Sequence, residues 1–254
     1  MKLKVVTYNI RCVWDTCDGI NNFIHRAGML YDKILLEKPD LIGFQEMRAP
    51  HVQFFERTFP EYLLIGQGRN ADLGGEGVYT AIRKDVFQLM TVDLFWLSPQ
   101  KYVPGSRFPE QSDCPRTCVS TLLRHRESGR MIRLYNTHLD HISEEARVSG
   151  MTCVLEQMKK DREGYEAEEI LLGDFNARPE AKAITLCRQS LTDITEKVEY
   201  SFHAFGEENR HAKIDYIFVS EGLLPRVKEV EAWRDEKDGV YLSDHFPIAA
   251  TLDI

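Results

Sequence analysis

The sequence predicts a mixed fold, of α/β or α+β class, and three observations carry that expectation. Short β-like runs alternate along the chain with stretches of helical periodicity. No internal repeat, low-complexity tract or Pro/Gly/Ser-rich linker interrupts that alternation. The 254 residues, 43% hydrophobic and 28% charged, suffice for one large core, so residues 1–254 are read as a single domain.

The elements follow in order. Leu3 to Ile10 alternates as a strand does, and Asn21 or Asn22 can N-cap a helix behind it. Phe23, Ala27, Leu30 and Ile34 then recur at helical spacing until Pro39 ends the helix. Leu41-Ile42-Gly43-Phe44 reads as a short buried strand closing on Gln45-Glu46. A second helix is expected over 51–59, with Val52, Phe55 and Phe59 inward, and further strands over 77–83 and 93–97. The glycine-rich run 66–77 lacks the G-K-[ST] ending of a phosphate-binding loop and is read as a hairpin or flexible loop. Val119 to Arg124 and Met131 to Asn136 pair as a hairpin about Glu127-Ser128-Gly129-Arg130. Ser143 is placed to N-cap a helix whose first turn carries Glu144 and Glu145 and whose core face carries Met151, Val154, Leu155 and Met158. Ile170-Leu171-Leu172 is a buried strand, Pro179 sits where a helix could begin, and 214–219 and 248–252 are the last strands.

Composition narrows the function classes. No apolar stretch is long enough to cross a bilayer as a helix. The N-terminal apolar run is too short for a signal-peptide core, so a cytoplasmic protein is expected. The six cysteines form no C-x-x-C pair. Cys12 with Cys17, or Cys114 with Cys118, could be argued into a metal site, but free thiols, mostly buried, fit their spacing better. A net charge of −8 disfavours nonspecific association with nucleic acid or anionic lipid, while leaving room for a local basic rim.

The polar residues carry the functional signal. Asn9, Glu46, His138, Asp174, Asn176 and Asp244 all fall at or just beyond a strand end, where a rigid scaffold can converge them on one rim. In Gly173-Asp174-Phe175-Asn176, a period of two anchors Phe175 inward and turns Asp174 and Asn176 to the other face; an ordinary Asx turn explains less, because two polar groups face one direction. Asn136-Thr137-His138-Leu139-Asp140-His141 offers imidazoles for proton transfer or metal binding, without the i, i+4 pair of a zinc helix. Asp215 lies inside an apolar strand and needs a partner, and Ser243-Asp244-His245 supplies a candidate imidazole.

Taken together, Tyr8-Asn9, Gln45-Glu46, Asn136-Thr137-His138, Gly173-Asp174-Phe175-Asn176, Ile214-Asp215-Tyr216 and Ser243-Asp244-His245 resemble the endonuclease/exonuclease/phosphatase superfamily, in its bacterial branch. The resemblance implies a two-sheet β-sandwich flanked by helices and a hydrolase of phosphate ester bonds: phosphodiesterase, nuclease or phosphatase. It implies Mg2+, with Mn2+ as the alternative, held by Glu46 with Asn9 nearby and Asp244 in support. Asp174 would activate the attacking water, Asn176 would hold water or a phosphate oxygen, and His245, oriented by Asp215, would stabilise the transition state. His138 would be a second donor and a general acid for the leaving oxygen. Arg11 and Cys12 stand where some relatives place a second carboxylate, which leaves one ion or two open.

The expected substrate is a phosphoester, either nucleic acid or a small diester or monoester, and oligomeric state is not readable. In the long loop from Ser98 to Arg116, with Lys101, Tyr102, Arg107 and Phe108, Arg116 is the candidate for substrate phosphate. His203 is placed between Asn176 and Asp215 as a second substrate contact. Arg124, Arg126, Arg130 and Arg133 read as a solvated face before a nucleic-acid stripe. Two rivals remain: a silent binding module keeping the fold, and a paired-carboxylate glycosidase, which leaves the histidines and asparagines unexplained.

Overall fold

The computed structural model describes residues 2–13 and 18–254, so Cys17 and its pairing with Cys12 lie outside the described residues. The chain runs β1 (Lys2–Asn9), α1 (Phe23–Glu37), β2 (Leu41–Met47), α2 (Ala49–Thr58), β3 (Tyr62–Gly68), β4 (Gly77–Arg83) and β5 (Phe87–Trp96). It continues through β6 (Thr117–His125), β7 (Met131–His138), α3 (Glu144–Gly164), β8 (Glu168–Asp174), α4 (Lys182–Cys187) and β9 (Thr192–Asp193). The last elements are β10 (Asp215–Val219), β11 (Val227–Ala232), β12 (Glu236–Lys237), β13 (Val240–Tyr241) and β14 (Ile248–Asp253).

Two six-stranded sheets result, ordered β11-β14-β1-β2-β4-β3 and β5-β6-β7-β8-β10-β9. Each is antiparallel except for one parallel pair at its centre, β1 with β2 and β7 with β8. A parallel pair needs a crossover, and α1 and α3 supply it on the outer faces. The central strands are therefore buried on both sides and read as continuous apolar runs. In β8, Ile170 and Leu172 face the other sheet with Val5, Leu41 and Leu134, while Leu171 faces Val154 and Met158 of α3. On the far side, Val6, Ile42 and Phe44 pack against Leu30 and Ile34 of α1 and Phe55 of α2. The layers run helix, sheet, sheet, helix.

The expected caps are present. Asn22 accepts from Ile24 N–H and Ser143 from Ala146 N–H. The 66–77 run is the tip of the β3–β4 hairpin, with 66–68 and 77 in the paired strands and 69–76 as the turn. Two expectations shift. Pro179 does not open the helix; α4 starts at Lys182 behind Ala181. The strand expected over 93–97 begins at Phe87, because its outer half alternates against an exposed face and shows no apolar run. Among the described residues, no helix is long and apolar enough to cross a membrane.

The sheets approach closely at Gly43, where an added Cβ would overlap the Leu172 and Asn136 side chains of the facing sheet. Overpacking of that kind costs about 1–3 kcal/mol. Gly43→Ala is expected to lower unfolding free energy by that amount in urea denaturation with the slope unchanged.

Candidate active site

The C-terminal ends of both central parallel pairs open on the same edge of the sandwich. Asn9 ends β1, Glu46 is the penultimate residue of β2, His138 ends β7 and Asp174 ends β8. Asp215 begins β10 directly opposite Asp174 in the antiparallel register. Asp244 and His245 precede β14, which runs antiparallel to β1 and so starts at the same edge. Topology alone thus gathers side chains that are far apart in sequence.

Glu46 reaches this edge through a break in the strand. The β2–β4 ladder pairs Phe44 with Tyr79 and then slips to Met47 with Gly77. Phe44 and Met47 both face the outer helices, three residues apart instead of two. Glu46 adopts a left-handed conformation, φ +64°, which places it on the inner side together with Gln45. A non-glycine residue in that region costs on the order of 1–3 kcal/mol and persists only where its surroundings fix it. Asn176, at φ +47°, is a second such position in the same site.

Asp174 is the hub. Its Oδ2 accepts from Asn9 Nδ2 at 2.9 Å and lies 3.5 Å from His138 Nε2 and 3.8 Å from His245 Nε2. Its Oδ1 accepts from Asn176 N–H at 2.9 Å, the Asx turn that the sequence allowed. Asn176 Nδ2 in turn donates to His138 Nε2 at 3.0 Å and to Leu139 O at 3.1 Å. Both readings of this motif therefore hold at once, with Phe175 anchored in the core behind. Glu46 accepts from Asn9 Nδ2 at 3.0 Å and from Cys12 N–H at 2.9 Å. His245 Nδ1 pairs with Asp215 Oδ2 at 2.7 Å.

Among the described residues, two sets of side chains bring their ligand atoms within 4.8 Å of one another: Glu46, His138 and Asp174, and Asp174, Asp215 and His245. The first is dominated by carboxylate oxygen, which suits a hard divalent cation. Asn9 turns its Nδ2 to both carboxylates while its Oδ1 accepts from Arg11 N–H at 3.0 Å, so here it orders the acidic groups instead of presenting oxygen to the centre.

Above the hub lies a cavity of about 620 Å3 lined by Glu46, His138, Asp174, Asn176, Asp244 and His245. Five arginines share the lining: Arg11, Arg48, Arg69, Arg116 and Arg210. Arg116 is 4% exposed, and its Nη2 contacts His141 Nδ1 at 3.0 Å while Nε and Nη1 have no partner. His203 does not line the cavity, contrary to the expectation from sequence. Its ring stacks on Phe246 at 3.9 Å, and its backbone N–H holds Asp244 O at 2.9 Å, so it supports the wall from behind.

The profile of the Endonuclease/Exonuclease/phosphatase family matches residues 6–245. The chain belongs to this family. The solved endonuclease/exonuclease/phosphatase of Bacteroides vulgatus is 28% identical over 100% of this chain and 99% of its own, with a TM-score of 0.91. A mannosyl-6-phosphatase of Bacteroides thetaiotaomicron is 27% identical over 99% and 100%, with a TM-score of 0.88. The human Nocturnin catalytic domain with bound sulfate, 19% identical over 99% and 93% with a TM-score of 0.79, shares the fold. No curated protein matches the chain. Family membership places the protein among enzymes that hydrolyse phosphate esters.

Within this family site, the charge states follow from burial and neighbours. Burial, then the Asp215 charge, raises Asp174 to about 7 against the opposing pull of His245 and the Asn9 and Asn176 hydrogen bonds. Burial alone would lower His245, yet the charge and hydrogen bond of Asp215, with the charges of Asp174 and Asp244, push it up to about 10. Burial, then the Arg116 charge, holds His138 well below the usual imidazole range. Burial raises Asp244, and the charge of Glu46 adds to it. Burial works against the Glu46 carboxylate as well, but the Asn9 side chain and the Cys12 N–H outweigh it and lower its pKa.

Sequence reasoning missed several cavity residues, among them Arg48, Arg69 and Arg210 and the ring of Phe202. No local signal marked them, since an arginine reads as an ordinary surface residue and Phe202 as core until the chain folds over the edge. In the long 98–116 loop, only Cys114 and Arg116 reach the cavity. Lys101 lies over the Phe95 ring, Tyr102 bonds Asp93, and Arg107 bonds Asp113. The Arg124–Arg130 hairpin turn is at the opposite end of the sheet, and Arg133 faces Asp161.

Asp215→Asn removes the charge that favours imidazolium. Histidine NMR is expected to find the His245 titration near pH 10 in the native protein and about 1–3 pH units lower in the variant; an unmoved midpoint would exclude the pairing as its cause.

Proposed function

We propose that this chain hydrolyses a small phosphate ester by in-line attack of water, with Mg2+, or Mn2+ in its place, held at Glu46. The observation that carries the reading is the convergence of Glu46, Asp174 and His245 around one cavity. A bound divalent cation would neutralise phosphoryl charge and lower the barrier to attack at phosphorus. Glu46 would hold it, Asn9 would keep the Glu46 and Asp174 carboxylates oriented, and Asp244 would support it across the cavity.

Asp174 has a pKa of about 7, matched to taking one proton from the attacking water near neutral pH. Asn176, fixed to Asp174 and His138, orients that water or a phosphate oxygen. His245 carries positive charge at neutral pH and donates to a phosphate oxygen as charge builds in the transition state, with Asp215 fixing its ring. His138 is held neutral and its Nε2 accepts from Asn176 Nδ2, so it fixes Asn176 instead of donating to substrate, and the departing ester oxygen takes its proton from solvent. Arg116, buried with guanidinium nitrogens to spare, takes a phosphate oxygen.

Five arginines outnumber the four carboxylates that line the cavity, in a molecule of net charge −8, and that local excess of positive charge favours compact anions. The exposed basic hairpin that could carry a nucleic acid stands at the far end of the sheet. Both points favour a small phosphoester over a polynucleotide. The relative that acts on a sugar phosphate makes a phosphorylated sugar the first compound to try.

A panel with bis-aryl phosphate, aryl phosphate, sugar phosphates, DNA and RNA is expected to show Mg2+-dependent turnover that chelator removes. Asp174→Asn or His245→Ala should each lower kcat by about 10²–10⁴-fold with circular dichroism unchanged. Glu46→Gln should raise the Mg2+ concentration for half-activity. Native turnover by either of the first two variants would remove their roles, and activity in chelator would remove the cation. A fold-retaining protein with no turnover on any compound would favour the silent binding module.

A further inference from the structure

Two fully buried carboxamides, Gln45 and Asn136, meet between the sheets outside the cavity wall. Gln45 Nε2 donates to Asn136 Oδ1 at 2.8 Å and to Gly43 O at 2.9 Å. Asn136 Nδ2 donates to Phe44 O at 3.1 Å and Tyr79 O at 3.0 Å. Phe44 and Tyr79 are the last pair of the β2–β4 ladder before it slips. Asn136 therefore grips, from the opposite sheet, both carbonyls at the point where the bulge begins. Glu46 follows directly, in its left-handed conformation. His138, two residues beyond Asn136, points from the same face of β7 toward the cavity.

Without the bulge, alternation would turn Glu46 away from Gln45, toward the helix layer that holds Phe44 and Met47. We propose that Asn136, assisted by Gln45, is a positioning residue that holds this bulge and thereby sets the affinity of the site for its divalent cation. The proposal rests on the reading that Glu46 holds that cation. Neither amide touches the cavity, so their effect passes through the Glu46 backbone. The competing account is that the two amides merely satisfy each other inside the sandwich; it predicts lost stability and unchanged cation affinity.

The test is Mn2+ binding to the full chain, followed by the electron paramagnetic resonance signal of free Mn2+, with melting temperature measured alongside. Asn136→Leu keeps the size of the side chain and removes all of its hydrogen bonds. It is expected to weaken Mn2+ by about 10-fold or more, the usual effect of losing support behind a metal ligand. The Mg2+ concentration for half-activity should rise in parallel, while kcat at saturating Mg2+ falls far less. Gln45→Met, which leaves the Asn136 bonds to Phe44 and Tyr79 in place, should show a smaller weakening in the same direction. A lowered melting temperature with native Mn2+ affinity in Asn136→Leu would overturn the proposal. If Asn136→Leu does not fold, Gln45→Met decides: weaker binding supports the bracket and native binding overturns it. A wild-type chain that binds no Mn2+ would fail the cation reading itself, and the bracket with it.

Discussion

Asp174 Oδ2 accepts the Asn9 amide and stands within 4 Å of two imidazoles, and much of the molecule follows from the cost of keeping this carboxylate and its neighbours out of water. Asp174, Asp215 and Asp244 are buried, with Glu46 half-buried beside them. Like charges this close raise one another's pKa, and burial adds to the penalty. The structure offsets it with donors and cations placed between them: the Asn9 amide, the Cys12 and Asn176 backbone N–H groups, and a His245 imidazolium. Arg11 lies 3.5 Å from Asp244 on the rim. The acidic groups left unmatched are those best placed to gain from a divalent cation.

The two sheets make this crowding tolerable because they fix backbone before side chains meet. Each central parallel pair delivers its polar residues at C-terminal ends, where the strands stop being covered by helices and open to a cavity. Some departures from regular backbone lie there too, at Arg11, Glu46 and Asn176. Strain at a site persists when a rigid frame holds it. Apolar packing of Leu172, Leu134 and Val5 between the sheets and of α1 and α3 outside them supplies that frame.

Much of this was legible in the chain itself. The apolar runs of β2 and β8, the caps at Asn22 and Ser143, and the six polar blocks at strand ends gave the fold class and the convergence, because periodicity and strand termini are local properties. The strand β3 was overlooked because its glycines read as loop, and β11 because its exposed charges alternate without an apolar run. The bulge at Glu46 could not be read, since alternation gives no sign of a slipped register until the partner strand is known. Placing His203 in the cavity failed for a related reason: its place in the sequence between Asn176 and Asp215 says nothing of the Phe246 ring on which it stacks. Arg69 and Arg210 needed the folded loops to become part of a site.

The central claim is that one phosphoryl group is shared by Glu46, through a cation, and by Asp174 and His245. An anomalous difference map from crystals grown with Mn2+ and inorganic phosphate tests it most directly. The account predicts a manganese peak coordinated by the Glu46 carboxylate with phosphate between Asp174 and His245. Manganese bound away from Glu46, or phosphate lodged elsewhere in the cavity, would contradict it.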